Sequence, residues 1–119
     1  MNVAVKSSIE GFPRRRFTAD DIWRMTEAGI LSEDERFELI EGDLIMMAAK
    51  GIGHENIKHA LTLAFAKAAP AGIYVAIEST IQLSDTILVE PDLTLISQSV
   101  YAQGPKGFAK PKPQTFFFW

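Results

Sequence analysis

The chain has 119 residues, a size that fits one domain with one modest core, and its 47% hydrophobic and 23% charged residues are ordinary for a globular protein. A net charge of −3 argues against non-specific coating of nucleic acid, which depends on many Lys and Arg contacts to phosphate. Cysteine is absent, which excludes disulfide frameworks, zinc–thiolate sites and thiol nucleophiles, and no window approaches the run of about 20 apolar residues that a membrane helix needs. A cytoplasmic protein with no membrane association is the expectation.

Residues 1–16 carry little periodicity and contain Gly11 and Pro13, so a flexible arm is expected ahead of a domain over 17–103. Arg14, Arg15 and Arg16 in that arm, and Lys106, Lys110 and Lys112 near the other end, either touch phosphate or are solvated charge runs. The stretch "TADD" sets Thr18 three residues before Asp21, a capping-box pattern that predicts a helix of about ten residues ending at Gly29. In "RFELIEGDLIMMA", Phe37 and Leu39 alternate with Glu38 and Ile40, and the chain turns at Glu41-Gly42, which predicts a hairpin. The rival helix over the same residues would carry Gly42 in its middle, at a cost of about 1 kcal/mol.

From His54 the apolar period becomes 3.6, with Ile57, Leu61, Phe65 and Ala68 on one stripe, until Pro70 and Gly72 end the helix. Residues 73–83 and 86–96 are dense in Ile, Val, Thr and Leu and break at Ser84-Asp85, which predicts two long strands. Residues 104–119 lose all periodicity and close on Phe116, Phe117, Phe118 and Trp119, a tail that either caps an open sheet or exposes an aggregation-prone surface.

The chemistry-bearing candidates are few. Asp92 follows Pro91 inside a strand-rich segment, and since proline removes a ladder donor, the strand there is at an edge or distorted. A carboxylate at such a break suits a hard cation such as Mg²⁺, which takes one or two carboxylates plus waters. Glu38 is a second candidate, on the face of its strand opposite Phe37 and Leu39, although a solvated Glu has the same pattern. His54 and His59 are five residues apart and do not share a helical face, which argues against a His-ligated metal.

"RFELIEGDLIMM", "GIGHENIKHALTLAF" and "VAIESTIQLSDTILVEPDLTLIS" resemble, in order and spacing, the Uma-two family of putative restriction endonucleases in the PD-(D/E)XK nuclease superfamily. The resemblance covers about 17–103. It implies an α/β (α+β) restriction-endonuclease-like core, a central mixed sheet flanked by helices, acting on DNA with Mg²⁺ or Mn²⁺. It further implies that Asp92 is a catalytic, metal-binding carboxylate and Glu38 a second acidic contributor; His54, at a motif position, and Arg14, Arg15 and Arg16, by their charge alone, are the candidate substrate-binding residues. The superfamily's D/E-x-K pair is expected on the strand after Pro91-Asp92, but the chain runs "AKPKPQTFFFW" instead. The expectation is a partial domain, with its last strand and helix missing, that is weakly active or inactive and oligomeric or marginally folded. The alternatives are a non-catalytic nucleic-acid or protein-binding remnant, and an interaction module whose aromatic end enters a partner.

Overall fold

The computed structural model describes residues 11–113 and 115–119. Helix α1, Ala19–Glu27, starts as the capping box requires. The Thr18 hydroxyl accepts from the Asp21 N–H at 3.1 Å, and the Asp21 carboxylate accepts from the Thr18 N–H at 2.9 Å. Its inner side buries Ala19 and Ile22.

Strands β1 (Phe37–Ile40) and β2 (Asp43–Met46) form the expected antiparallel hairpin. Glu41 and Gly42 have φ of 49° and 86°, the paired left-handed conformation that a two-residue turn needs to match strand twist. Glycine is required here for a second reason, because a Cβ on Gly42 would lie 2.9 Å from the Cβ of Arg16. Helix α2, Ile52–Ala68, follows.

The two long strands expected over 73–83 and 86–96 are each broken in the middle. They become β3 (Ile73–Ile77) with β4 (Ile81–Ser84), and β5 (Ile87–Val89) with β6 (Leu93–Ser97). β4 pairs with β5 and β3 with β6, so one long hairpin bends where both arms break and passes from one sheet to the other. Left-handed Glu78, at φ 50°, makes one bend, and Glu90-Pro91-Asp92 makes the other. A 3₁₀ helix, Gln98–Gln103, follows β6, and β7, Phe116–Phe118, returns to pair with β6.

The result is an α+β fold with a four-stranded sheet ordered β2-β1-β5-β4 and a three-stranded sheet ordered β3-β6-β7. Among the described residues every strand pair is antiparallel and the parallel pairing is one bridge, Ile81 to Ala109, so the expected central mixed sheet is two antiparallel sheets instead. The cause is the bent hairpin: it connects its arms by a tight turn, which forces antiparallel neighbours in both halves.

One core cluster joins Ala19, Ile22, Phe37, Leu39 and Leu88 between α1 and the first sheet; the other joins Ile81, Val89, Ile96 and Val100 between the sheets. The segment expected as a separate tail takes part in both, with Phe108 edge-on to Trp23 at 5.5 Å between ring centroids and Phe117 against the second cluster.

Leu39 is fully buried at the centre of the first sheet. Leu39→Ala is expected to lower the unfolding free energy by about 2–5 kcal/mol, against about 1 kcal/mol for Thr18→Ala, which removes only the cap. Urea denaturation of the three proteins orders them; equal losses would mean that the first cluster is not the stabilising core.

Candidate active site

The two bends lie side by side. The Glu78 N–H donates to the Asp92 carbonyl at 3.1 Å, tying one arm of the hairpin to the other at the point where both leave the first sheet. Pro91, fully buried, has no N–H to leave unpaired at the bend, and the Glu90 N–H donates to the Glu38 carboxylate at 3.0 Å. Glu38 thus stands in for the missing strand partner and fixes the corner that carries Asp92. Holding a non-glycine residue left-handed at Glu78 costs about 1–2 kcal/mol, which the surrounding contacts must offset.

Helix α2 supplies the opposite wall, though not with the face its apolar period suggests. Ile57 is 65% and Leu61 38% exposed, while Lys58 is the one buried residue of the helix. The stripe turned inward is His54, Lys58, Thr62 and Phe65, and the helix buries it because its ionic partners lie on the bends. Lys58 Nζ lies 3.3 Å from Glu78 and also pairs with Glu55 one turn back on the same helix. Phe65 stacks at a tilt on Phe118 of β7, 5.0 Å between centroids.

Asp92, 6% exposed at its side chain, is the most crowded carboxylate of the group. Its Oδ1 accepts from Lys50 Nζ at 2.7 Å and lies 3.9 Å from Arg36 Nη2; its Oδ2 lies 2.7 Å from His54 Nε2. Among the described residues neither the buried His54 Nε2, for all its close approach to Asp92, nor Arg36 Nη2 has a hydrogen-bond partner. Arg36 also reaches Glu90 at 3.1 Å and Glu78 at 3.5 Å, so one guanidinium spans carboxylates from both bends. Beside Asp92, Leu61, Leu93, Phe118 and Trp119 line a cleft that His54 and Lys58 also face.

Among the described residues this network sets five carboxylates, on Glu38, Glu55, Glu78, Glu90 and Asp92, against three fixed cations on Arg36, Lys50 and Lys58. Burial raises the pKa of Glu90 above the usual range despite the Arg36 hydrogen bond, and the nearby charges of Glu78 and Glu38 push the same way. Burial also opposes ionisation of Asp92, but the Lys50 hydrogen bond and the charges of Lys50, His54 and Arg36 outweigh it and hold its pKa below the usual range.

Of the sequence candidates, Asp92 and His54 meet directly, and Glu38 faces the backbone two residues before Asp92. The arginines do not join them. Arg14 pairs with Asp43 at 3.6 Å, Arg16 donates to the Glu41 carbonyl, and Arg15 lies 5.9 Å over the Phe17 ring. Glu41 lies in the turn of the first hairpin and Asp43 opens β2 just after it, so Arg14 and Arg16 gather at the end of β1 remote from Arg36, about 17 Å of extended chain away. Sequence reasoning passed over Arg36, Lys50, Lys58, Glu78 and Glu90. Lys58 was recoverable, since it stands one helical turn after His54 on the same face. Glu78 gave no signal, because a left-handed glutamate inside a β-rich run has no sequence mark.

Helices packed with antiparallel sheets, and an aspartate presented at a strand break, make an α+β fold compatible with a restriction-endonuclease-like core. The profile of the Uma2 family, described as putative restriction endonuclease, matches residues 21–115, and the chain belongs to that family. Membership in the PD-(D/E)XK superfamily is consistent with this. No curated protein matches the chain. No helix among the described residues is long and apolar enough to cross a membrane.

Restriction-endonuclease-like proteins usually use divalent metals. Among the described residues no three His, Asp or Glu side chains gather as a ready ligand set. The donor chemistry nevertheless fits a hard cation, which needs only one or two carboxylates with water, and the Lys50 ammonium on Asp92 is itself a cation standing at that carboxylate.

Because the folded Asp92 pKa is lowered, its contribution to stability is present above the unfolded value of about 3.9 and is lost as pH falls through the lowered one. Asp92→Asn is expected to flatten the acid limb of melting temperature against pH below about pH 4; an unchanged limb would mean that Asp92 is not paired in the folded state. Lys58→Ala, which leaves Glu55 without its ion-pair partner and Glu78 with Arg36 alone, is expected to cost about 1–3 kcal/mol in urea unfolding.

Proposed function

We propose that the chain is a cytoplasmic, metal-dependent DNA phosphodiesterase of the Uma type, with Asp92 as the carboxylate that holds Mg²⁺ or Mn²⁺, and that its own cleavage activity is weak or absent. The observation that carries the metal site is the placement of Asp92: nearly buried, fixed by its backbone to Glu78, and set in a network with more carboxylates than cations.

A bound divalent cation would supply charge stabilisation at the scissile phosphate and a more acidic water. The protein's residues do the rest. Glu38 and Glu78 hold the two bends in register, so that Asp92 is presented at a fixed position. Arg36 and Lys58 neutralise part of the carboxylate charge that would otherwise repel a phosphodiester. His54, 39% exposed at the first turn of α2, faces the cleft and contacts a substrate phosphate. Arg14, Arg15 and Arg16 steer DNA from the far end of the first hairpin only as far as their internal contacts leave charge to spare.

The weak activity follows from the surroundings of Asp92: Lys50, Arg36 and His54 already stand at its oxygens, and among the described residues no three His, Asp or Glu side chains gather as a ligand set.

Two measurements test this. Mg²⁺ or Mn²⁺ at roughly ten times its dissociation constant is expected to stabilise the wild type by about 1.4 kcal/mol and to leave Asp92→Ala unchanged, read as melting temperature. Plasmid nicking by the purified chain is expected near background. Stabilisation that survives Asp92→Ala would overturn the metal assignment, and rapid nicking would overturn the weak-activity reading. DNA binding that needs no metal, falls steeply with salt and is lost when Arg14, Arg15 and Arg16 are replaced would support a binding protein instead.

A further inference from the structure

Lys50 is the residue of the site that the proposed chemistry leaves without a role. It lies on the connection between β2 and α2, just before Gly51, which caps α2 without a side-chain bond. Its neighbours Ala48, Ala49 and Gly51 are small, so nothing bulky next to it in sequence pins the four-carbon stem. Yet its ammonium is drawn 2.7 Å from Asp92 Oδ1, with the side chain 20% exposed. Arg36 and Lys58 are different: each bridges two or more carboxylates, whereas the ion pair of Lys50 is with Asp92 alone.

The geometry around Asp92 leaves a second cation little room. A hard divalent ion sits about 2.0–2.1 Å from a carboxylate oxygen. An ammonium nitrogen at 2.7 Å from Oδ1 occupies the same approach, Arg36 Nη2 flanks that oxygen at 3.9 Å, and His54 Nε2 stands 2.7 Å from the other oxygen. Across the network five carboxylates still face three fixed cations. One ammonium on a flexible stem is therefore a weaker answer to that charge than a divalent ion, and the easiest of the three cations to expel.

We infer that Lys50 is a tethered competitor for the metal position: its ammonium occupies Asp92 until a divalent cation displaces it, so that Lys50 sets how much metal the site needs. This rests on the reading of Asp92 as the metal-holding carboxylate. Lys50 is a positioning residue in this sense, acting through Asp92.

The test is Mn²⁺ affinity, measured by calorimetry or by the electron paramagnetic resonance of free Mn²⁺, on the full chain without DNA. Lys50→Met keeps the stem and removes the charge, and is expected to bind Mn²⁺ about tenfold more tightly than the wild type, the fold-change equivalent to one charge-assisted hydrogen bond. Lys50→Arg keeps a tethered cation and is expected to stay within about twofold of wild type, which separates displacement from a general packing effect. Lys67→Met, with the same charge change in the last turn of α2, is expected to leave affinity unaltered. Should Lys50→Met fold poorly, Lys50→Gln gives the same comparison. Mn²⁺ binding that is present in the wild type but unchanged or weaker in Lys50→Met and Lys50→Gln overturns the competitor role alone. Absence of binding in every protein overturns it together with the metal reading beneath it.

Discussion

A single backbone hydrogen bond, from the Glu78 N–H to the Asp92 carbonyl, holds together the place where one hairpin becomes part of two sheets. On one side of it β4 and β5 belong to the four-stranded sheet; on the other β3 and β6 belong to the three-stranded one. Both cores depend on that passage, since Leu88 of β5 lies in the first cluster while Ile81, Val89 and Ile96 lie in the second. The bend also interrupts regular pairing at Glu90, Pro91 and Asp92 and thereby presents side chains that a continuous strand would have aimed into solvent or core. The site is a consequence of how the sheets are joined.

The polar interior at this joint has an energetic logic. Buried ion pairs rarely add much net stability, because desolvation consumes most of the attraction, but removing one partner leaves the other uncompensated and is costly. Lys58 on α2 and Arg36 ahead of β1 therefore act as keys that admit only one docking of the helix and first hairpin against the bends. The price is a helix whose apolar residues Ile57 and Leu63 stay largely exposed and Leu61 partly so, because the inward stripe is given to His54 and Lys58.

That exchange explains what the sequence could and could not reveal. Local signals were legible: the Thr18 and Asp21 capping box, the Glu41-Gly42 turn, the extent of the central helix and the Ser84-Asp85 break all rest on contacts within a few residues. The proline at 91 marked the strand break correctly, but its partner break at Glu78 was hidden, so two bent arms looked like two straight strands. The direction of the helix was misread for a related reason. Hydrophobic periodicity assumes that the buried face is the apolar one, and a helix that buries a lysine against a distant glutamate violates that assumption. Arg14 and Arg16 looked free for the opposite reason, since their partners, Asp43 and the Glu41 carbonyl, are about 25 or more residues away.

The aromatic end of the chain fits the same constraint. β6 leaves the bend with β3 on one edge only, and Phe116, Phe117 and Phe118 supply the other edge through pairing of Leu93 with Phe118, Thr94 with Phe117 and Leu95 with Phe116. Phe118 then lies on Phe65 of the helix, one turn beyond Thr62 and two beyond Lys58 on the inward stripe, and with Trp119 forms the apolar wall of the cleft next to Asp92. A low-dielectric wall beside a carboxylate strengthens every charge interaction at that carboxylate, whichever cation makes it. The aromatic run therefore does two things at once: it satisfies the edge of the strand that starts at the bend, and it raises the electrostatic stakes at Asp92.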